Sequence, residues 1–201
     1  MELTNQPRLE RRSTVKAILA GRTDEMLIVA GLGSAIWDVE VASENPLNFY
    51  LLGAMGSVVS TALGLATAQP NKQVVAFAGD SEIGMGLYAL ATVGWRSPKN
   101  LAIVCLDNGR FGETGGQISH TGQNLDLHAV AIGAGIPVAI KIDSETGIEE
   151  LRQLIDRRDG PVFGHVLITA DMPPVQMPIR NGKIGMARFR EALLGHDALK
   201  E

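Results

Sequence analysis

The sequence predicts an α/β fold: a six-stranded parallel sheet, doubly wound, with helices on both faces. Three observations carry this reading. Short β-branched or apolar runs alternate with segments of helix length. The runs are apolar at successive positions, as strands covered on both faces are. A chain of 201 residues, 45% of them hydrophobic, can bury one sizeable core but is short for two ordinary enzyme domains. A single unit over 1–201 is expected, with its core over about 13–170 and an extended segment and helix over 171–201.

Taken in order, an opening helix is expected over 14–19 and a first strand over 26–30, followed by a helix over 34–43. Strands over 48–52 and 73–78 flank a helix over 57–68, and a helix over 82–95 leads to a strand over 101–106. A helix over 125–134, a strand over 138–142, a helix over 145–157 and a strand over 162–168 complete the alternation. The stretch Met172-Pro173-Pro174-Val175-Gln176-Met177-Pro178 cannot be helical, because each proline lacks an N–H and clashes with the preceding turn. A closing helix follows over 184–194. The glycine-bearing segment 108–123 breaks the rule of short connections, and long ordered loops in compact domains usually carry function.

Charge and cysteine content narrow the function classes. Lys and Arg total 18 against 22 Asp and Glu, a net charge of -4, and no basic block exceeds Arg11-Arg12. Neither a nucleic-acid groove nor a polybasic membrane patch is supported. One cysteine, Cys105, excludes an internal disulfide or a cysteine zinc cluster and suits a reducing, cytoplasmic setting. No apolar run approaches the ~20 residues that span a bilayer, and the polar opening has no signal-peptide core.

Two places can hold chemistry. Gly31-Leu32-Gly33-Ser34 ends a strand and opens a helix, so its free N–H groups can bind phosphate. A dinucleotide fingerprint does not fit there, because Ile36 stands where the third glycine belongs and 51–57 offers no acid for a ribose. A plain tight turn is the competing reading. The second place is a pair of strand ends, Gly79-Asp80-Ser81 and Asp107-Asn108-Gly109, with Asp80 and Asn108 28 residues apart, about one strand–helix–strand unit. If those strands are neighbours, a carboxylate and an amide oxygen meet at the sheet's carboxyl edge, and both are hard ligands suited to Mg²⁺. Taken singly, each residue also serves as a helix or turn cap.

Gly79-Asp80-Ser81 with Asp107-Asn108 resembles the thiamine-diphosphate motif. The runs 49–56 and 106–117, together with His120-Thr121-Gly122, resemble the β subunit of sulfopyruvate decarboxylase and the phosphonopyruvate decarboxylases. The similarity extends over about 26–170 and implies a thiamine-diphosphate-binding fold. It implies further that Asp80, Asn108 and the Arg110 carbonyl hold Mg²⁺, and that Gly79, Ser81 and the turn of Gly31, Gly33 and Ser34 bind the diphosphate. Met55 matches an apolar wedge beneath the cofactor, and Gly53 matches a carbonyl that accepts from its amino group. Ser81 and Asp107 replace the motif's usual Gly and Asn. Glu82 stands where the related decarboxylases have a small residue, and it must point away from a diphosphate to avoid repulsion.

The glutamate that activates the cofactor lies, in the family, on a separate pyrimidine-binding domain. The resemblance therefore implies a pyrimidine-binding partner subunit and a hetero-oligomer. Within this chain, His120 and Glu113 are the candidates for catalytic groups, and Gln117 and Arg188 for substrate contacts, with Arg110 also able to meet a distal anion. His128, His165 and His196 read as structural histidines, and Cys105 as a small buried hydrophobe. The expected function is the diphosphate-binding subunit of a thiamine-diphosphate- and Mg²⁺-dependent 2-oxo acid decarboxylase. Its expected substrate is an anionic pyruvate such as 3-sulfopyruvate or 3-phosphonopyruvate. A carboligating enzyme of the acetolactate-synthase type and a non-catalytic phosphate- or nucleotide-binding module are the alternatives.

Overall fold

The computed structural model describes residues 8–199, so the ends of the expected unit, 1–7 and 200–201, lie outside the described residues. Six strands form one sheet: β1 (Met26–Ala30), β2 (Asn48–Tyr50), β3 (Gln73–Gly79), β4 (Leu101–Asp107), β7 (Val138–Ile142) and β8 (Val162–Leu167). Their order is β2-β1-β3-β4-β8-β7, with every pairing parallel. A short antiparallel hairpin, β5 (Arg110–Phe111) with β6 (Gln117–Ile118), lies outside that sheet. The helices are α1 (Arg11–Ile18), α2 (Ser34–Ala42), α3 (Val58–Ala68), α4 (Asp80–Met85), α5 (Tyr88–Arg96), α6 (Leu127–Gly133), α7 (Glu145–Arg157) and α8 (Gly182–Leu194).

Alternation along the central strands divides the core into two layers. Val75 and Phe77 of β3 join Ala102, Val104 and Leu106 of β4 on the face covered by α1, α2 and α7. Val74, Ala76 and Ala78 join Leu101, Ile103 and Cys105 on the face covered by α3, α4, α5 and α6. Parallel strands covered on both sides have no solvent face, which explains their uninterrupted apolar runs. From β1 the chain first adds β2 on one side, then returns to place β3 on the other. The crevice at this reversal, outside the carboxyl ends of β1 and β3, is where open α/β sheets bind ligands.

Three parts of the chain differ visibly from the sequence reading. The helix expected over 82–95 is two helices, α4 and α5, separated at Gly86-Leu87. A Cβ on Gly86 would stand 2.1 Å from the Gly56 carbonyl oxygen, so the loop before α3 passes against the break at backbone distance. The long loop contains the β5–β6 hairpin around a 3₁₀ turn, Gly112–Thr114. The opening helix begins earlier than expected, at Arg11, because the Glu10 side chain accepts from the Arg12 and Ser13 N–H groups. As expected, 172–178 is not helical. The C-terminal stretch returns across α2, where Trp37 Nε1 donates to Met177 Sδ at 3.1 Å. Phe189 of α8 then packs against Phe49 of the edge strand β2, with ring centroids 5.3 Å apart. Among the described residues no helix is long and apolar enough to cross a membrane.

Candidate functional site

The β3–β4 register pairs Gly79 with Leu106, so Asp80 and Asp107 leave their strands at the same level. Asn108 lies one residue beyond. Asp80 is the first residue of α4 and is 4% exposed. Its Oδ2 accepts from the Ser119 hydroxyl and lies 2.9 Å from Thr121 Oγ1. Thr121 Oγ1 is also 2.8 Å from Asp107 Oδ1, so one hydroxyl proton sits between two buried carboxylates. Asp107 Oδ1 accepts from the Gly109 N–H at 2.8 Å, and Asp107 Oδ2 meets His165 Nε2 at 2.6 Å. Burial, and then the neighbouring charge of Asp107, push Asp80 up to about 6. Burial also opposes the charge of Asp107. The hydrogen bond and charge of His165, with the Thr121 and Gly109 bonds, outweigh it and hold Asp107 below its ordinary value.

A cleft of about 110 Å³ opens beside these strand ends, between the turn before α2, the start of α4 and the loop over 108–114. Gly33, Ser34, Met55, Gly79, Asp80, Ser81, Asn108, Arg110 and Glu113 all line it, so most residues singled out in the sequence come together here. Gly33 adopts φ +95° as the N-cap residue of α2, a conformation that suits glycine. The Glu113 carboxylate packs at its Cα, with Oε1 3.4 Å from the place of a Cβ. Asn108 Oδ1 accepts from the Arg110 N–H at 2.9 Å. An amide oxygen has a second lone pair for a cation.

Other expected residues are placed differently. Gly31 is buried, and its N–H donates to the Phe77 carbonyl at 2.9 Å, so it is not free for phosphate. Its lack of a side chain instead makes room for Glu82, whose Cγ would be 3.0 Å from a Cβ there. Glu82 does not turn to solvent. It is 1% exposed and lines the cleft, with Oε1 accepting from the Val58 N–H at 3.2 Å. Gly53 is exposed and stands outside the cleft lining. His120 lines an adjoining cavity of about 300 Å³ with Asp80, Ser81, Ser119 and Thr121, its ring edge against Phe111. Gln117 is not in either lining. It is tied within the hairpin turn, donating to the Thr114 carbonyl and accepting from the Thr114 hydroxyl, both at 2.9 Å. Arg188 is on α8, 3.5 Å from Glu44 and beside a separate cavity of about 200 Å³ that includes Phe49 and Tyr50.

The chain Ser119–Thr121–Asp107–His165 was not legible as part of a site. One signal for it exists in the glycines. Gly122 approaches Gly109 so closely that a Cβ would be 2.6 Å from the Gly109 carbonyl oxygen, which is where the loop crosses itself and returns residues 119 and 121 to Asp80.

The donors fit a hydrated divalent cation carrying a diphosphate. Asp80 and Asn108 offer hard oxygens, and buried Ser81 Oγ has no hydrogen-bond partner among the described residues and is free to donate. Among the described residues no group of three or more His, Cys, Asp or Glu could hold a metal. A cation here would take ligands from an amide, a backbone carbonyl, water and the anion itself.

Comparison with known proteins agrees with this fold. The family model for the thiamine pyrophosphate enzyme C-terminal TPP binding domain matches residues 34–166. The chain is 36% identical over 172 residues to sulfopyruvate decarboxylase subunit beta of Methanothermobacter thermautotrophicus, covering 84% of this chain and 89% of that one. It is 30% identical over 178 residues to the same subunit of Methanocaldococcus jannaschii, covering 85% and 94%. Against phosphonopyruvate decarboxylase of Streptomyces viridochromogenes it is 32% identical over 158 residues, 79% of this chain but only 39% of that one. A solved structure from Mycobacterium smegmatis, described as a thiamin diphosphate-dependent enzyme, superposes with a TM-score of 0.67 at 20% identity. That superposition covers 83% of this chain and 33% of the other and bears on the fold alone. The parallel sheet, the cleft at its carboxyl edge and the match over 34–166 lead to one assignment: this chain belongs to the thiamine pyrophosphate enzymes, as their C-terminal TPP-binding domain.

Proposed function

We propose that the chain is the diphosphate-binding subunit of a thiamine-diphosphate- and Mg²⁺-dependent 2-oxo acid decarboxylase. The observation that carries this is the cleft at the β3 and β4 ends, whose lining includes Asp80, Asn108 and Ser81, the last with a buried hydroxyl that has no hydrogen-bond partner among the described residues. Asp80 and Asn108, with the Arg110 carbonyl, hold the cation. Ser81, Ser34 and the Gly33 N–H donate to the diphosphate, and Gly79 lets the chain turn beside it. Met55 stands at the mouth as the apolar support for the cofactor rings. Bound thiamine diphosphate supplies the electron sink through which a 2-oxo acid loses CO₂ and leaves as an aldehyde. The protein's part is orientation, charge and exclusion of water.

The names and lengths of the relatives support a two-chain enzyme. This chain spans nearly all of two beta subunits but well under half of the phosphonopyruvate decarboxylase. A partner with a pyrimidine-binding domain would bring the activating glutamate and close over the exposed Met55, Met85 and Tyr88. The same relatives support an anionic pyruvate, 3-sulfopyruvate or 3-phosphonopyruvate, as substrate. Arg110 and Glu113 line the cleft, the first to meet the distal charge and the second as a candidate for proton handling, and His120 is the other candidate, from the adjoining cavity. The test is calorimetric titration of thiamine diphosphate with and without Mg²⁺, then CO₂ release from both acids and from pyruvate by the chain with its partner. Cation-dependent binding and a preference for the anionic acids are expected. Absence of cation-dependent binding overturns the reading.

A further inference from the structure

Glu82 is not explained by the cofactor reading as it stands. Its carboxylate is 1% exposed and lines the cleft, yet only Oε1 is engaged, by the Val58 N–H at 3.2 Å. Oε2 has no hydrogen-bond partner among the described residues, and neither has the neighbouring Ser81 Oγ. A buried carboxylate oxygen without a donor is costly, so a ligand that supplies a hydrogen is favoured there. A diphosphate at neutral pH offers acceptors almost alone. The cleft already carries the carboxylates of Asp80, Glu82 and Glu113 against the single guanidinium of Arg110. A bare diphosphate would therefore meet repulsion and leave Oε2 unpaired. An octahedral Mg²⁺ ion held by Asp80, Asn108, the Arg110 carbonyl and the diphosphate keeps room for a water whose hydrogens point outward, and it cancels two of the negative charges.

We infer that Glu82 makes the cleft's affinity for a diphosphate conditional on a hydrated divalent cation, with Oε2 accepting a hydrogen from a water on the cation. The inference rests on the cofactor reading above and adds a positioning residue to it. Glu82 acts through the cation's water and touches neither the cofactor rings nor the substrate. The rival account makes Glu82 a structural link alone, joining the Gly31 turn to the start of α3 through Val58.

Glu82→Gln separates the two, because the amide oxygen can keep the Val58 bond while the charge is lost. Thiamine diphosphate is titrated calorimetrically into the full-length wild-type chain and into E82Q, each with Mg²⁺ and with EDTA, and thermal unfolding is followed in parallel. In wild type, Mg²⁺ should raise the affinity strongly. In E82Q the ratio of affinities with and without Mg²⁺ should fall roughly tenfold or more, the value of one charge-assisted hydrogen bond, while unfolding moves little. Ser81→Ala removes no hydrogen bond within the described protein and serves as a second variant. It should lower the affinity measured with Mg²⁺. A ratio in E82Q equal to wild type overturns the role given to Glu82, and an unchanged affinity in Ser81→Ala overturns the diphosphate contact given to Ser81. Failure of wild type to bind thiamine diphosphate under either condition overturns the cofactor reading itself, and this inference with it.

Discussion

Asp80 carries the only formal charge among the proposed cation ligands, and Ser119 and Thr121 hold its Oδ2 in place. Asp80→Ala should abolish the Mg²⁺-dependent part of thiamine diphosphate binding, read by calorimetry. Near wild-type affinity in that variant would remove Asp80 from the cation site. Met55 is 41% exposed at the cleft, which separates it from an ordinary core methionine. Truncating a buried Met costs ~2–5 kcal/mol, whereas at this exposure Met55→Ala should change unfolding stability by less than about 1 kcal/mol. Turnover by the enzyme with its partner should fall by more than cofactor binding does. A large loss of stability with unchanged turnover of the folded fraction would overturn the support role. Asp80 and Asn108 were legible because both sit directly after apolar strands at the spacing of one crossover. The bond of Asp107 to His165 was not, because its partners are 58 residues apart and a lone histidine within a strand carries no sign of what it faces.

At the scale of elements, the break between α4 and α5 is held by backbone contact. A Cβ at Gly86 would meet Gly56 oxygen at 2.1 Å and Gly56 carbon at 2.8 Å, and backbone cannot swing aside as a long side chain can. Gly86→Ala should therefore lower unfolding stability by ~1–3 kcal/mol, the usual cost of overpacking, measured by urea denaturation. A neutral result would mean that the loop before α3 is free to shift. Helix α6 is capped by Asp126, which accepts from the His128 and Ala129 N–H groups. Burial works against its charge, but those bonds and the charge of Lys141 hold its acidity below the ordinary carboxylate range. A folded value below the unfolded one gives stability that is present above about pH 4 and is lost as pH falls through the folded value. Asp126→Asn keeps the cap and removes the charge. It should be less stable than wild type by at most about 0.5 kcal/mol at pH 7 after solvent screening, with the gap closing in acid. A gap that persists at low pH would assign it to the cap instead. Periodicity located the long helices and the six sheet strands. It could not reveal the hairpin, whose two-residue strands Arg110–Phe111 and Gln117–Ile118 are shorter than any repeat.

At the scale of the whole molecule, the cleft lining carries exposed apolar side chains, Met55 at 41% and Met85 at 60%, and Tyr88 at the start of α5 is 89% exposed. Such surface favours association. The purified chain should release little or no CO₂ from 2-oxo acids even with saturating thiamine diphosphate and Mg²⁺. Addition of a pyrimidine-domain subunit should restore turnover and form a larger species, read by CO₂ release beside solution mass. Robust turnover by the chain alone would mean that one of its own acids activates the cofactor, with Glu113 the first to test.

The sequence by itself determined the class of fold, the order of its sheet strands along the chain and the strand-end residues of the candidate site. These follow from local rules: apolar runs buried on both faces, crossover lengths, and turns where strands end. Tertiary structure alone decided that Gly31 serves Glu82, that Glu82 faces the cleft and that residues 119 and 121 return to Asp80. It also placed Arg188 beside Glu44, on a helix that covers the edge strand. Each of these depends on contacts between segments 24 to 144 residues apart, where packing sets the pairing and no periodicity within one segment reports it.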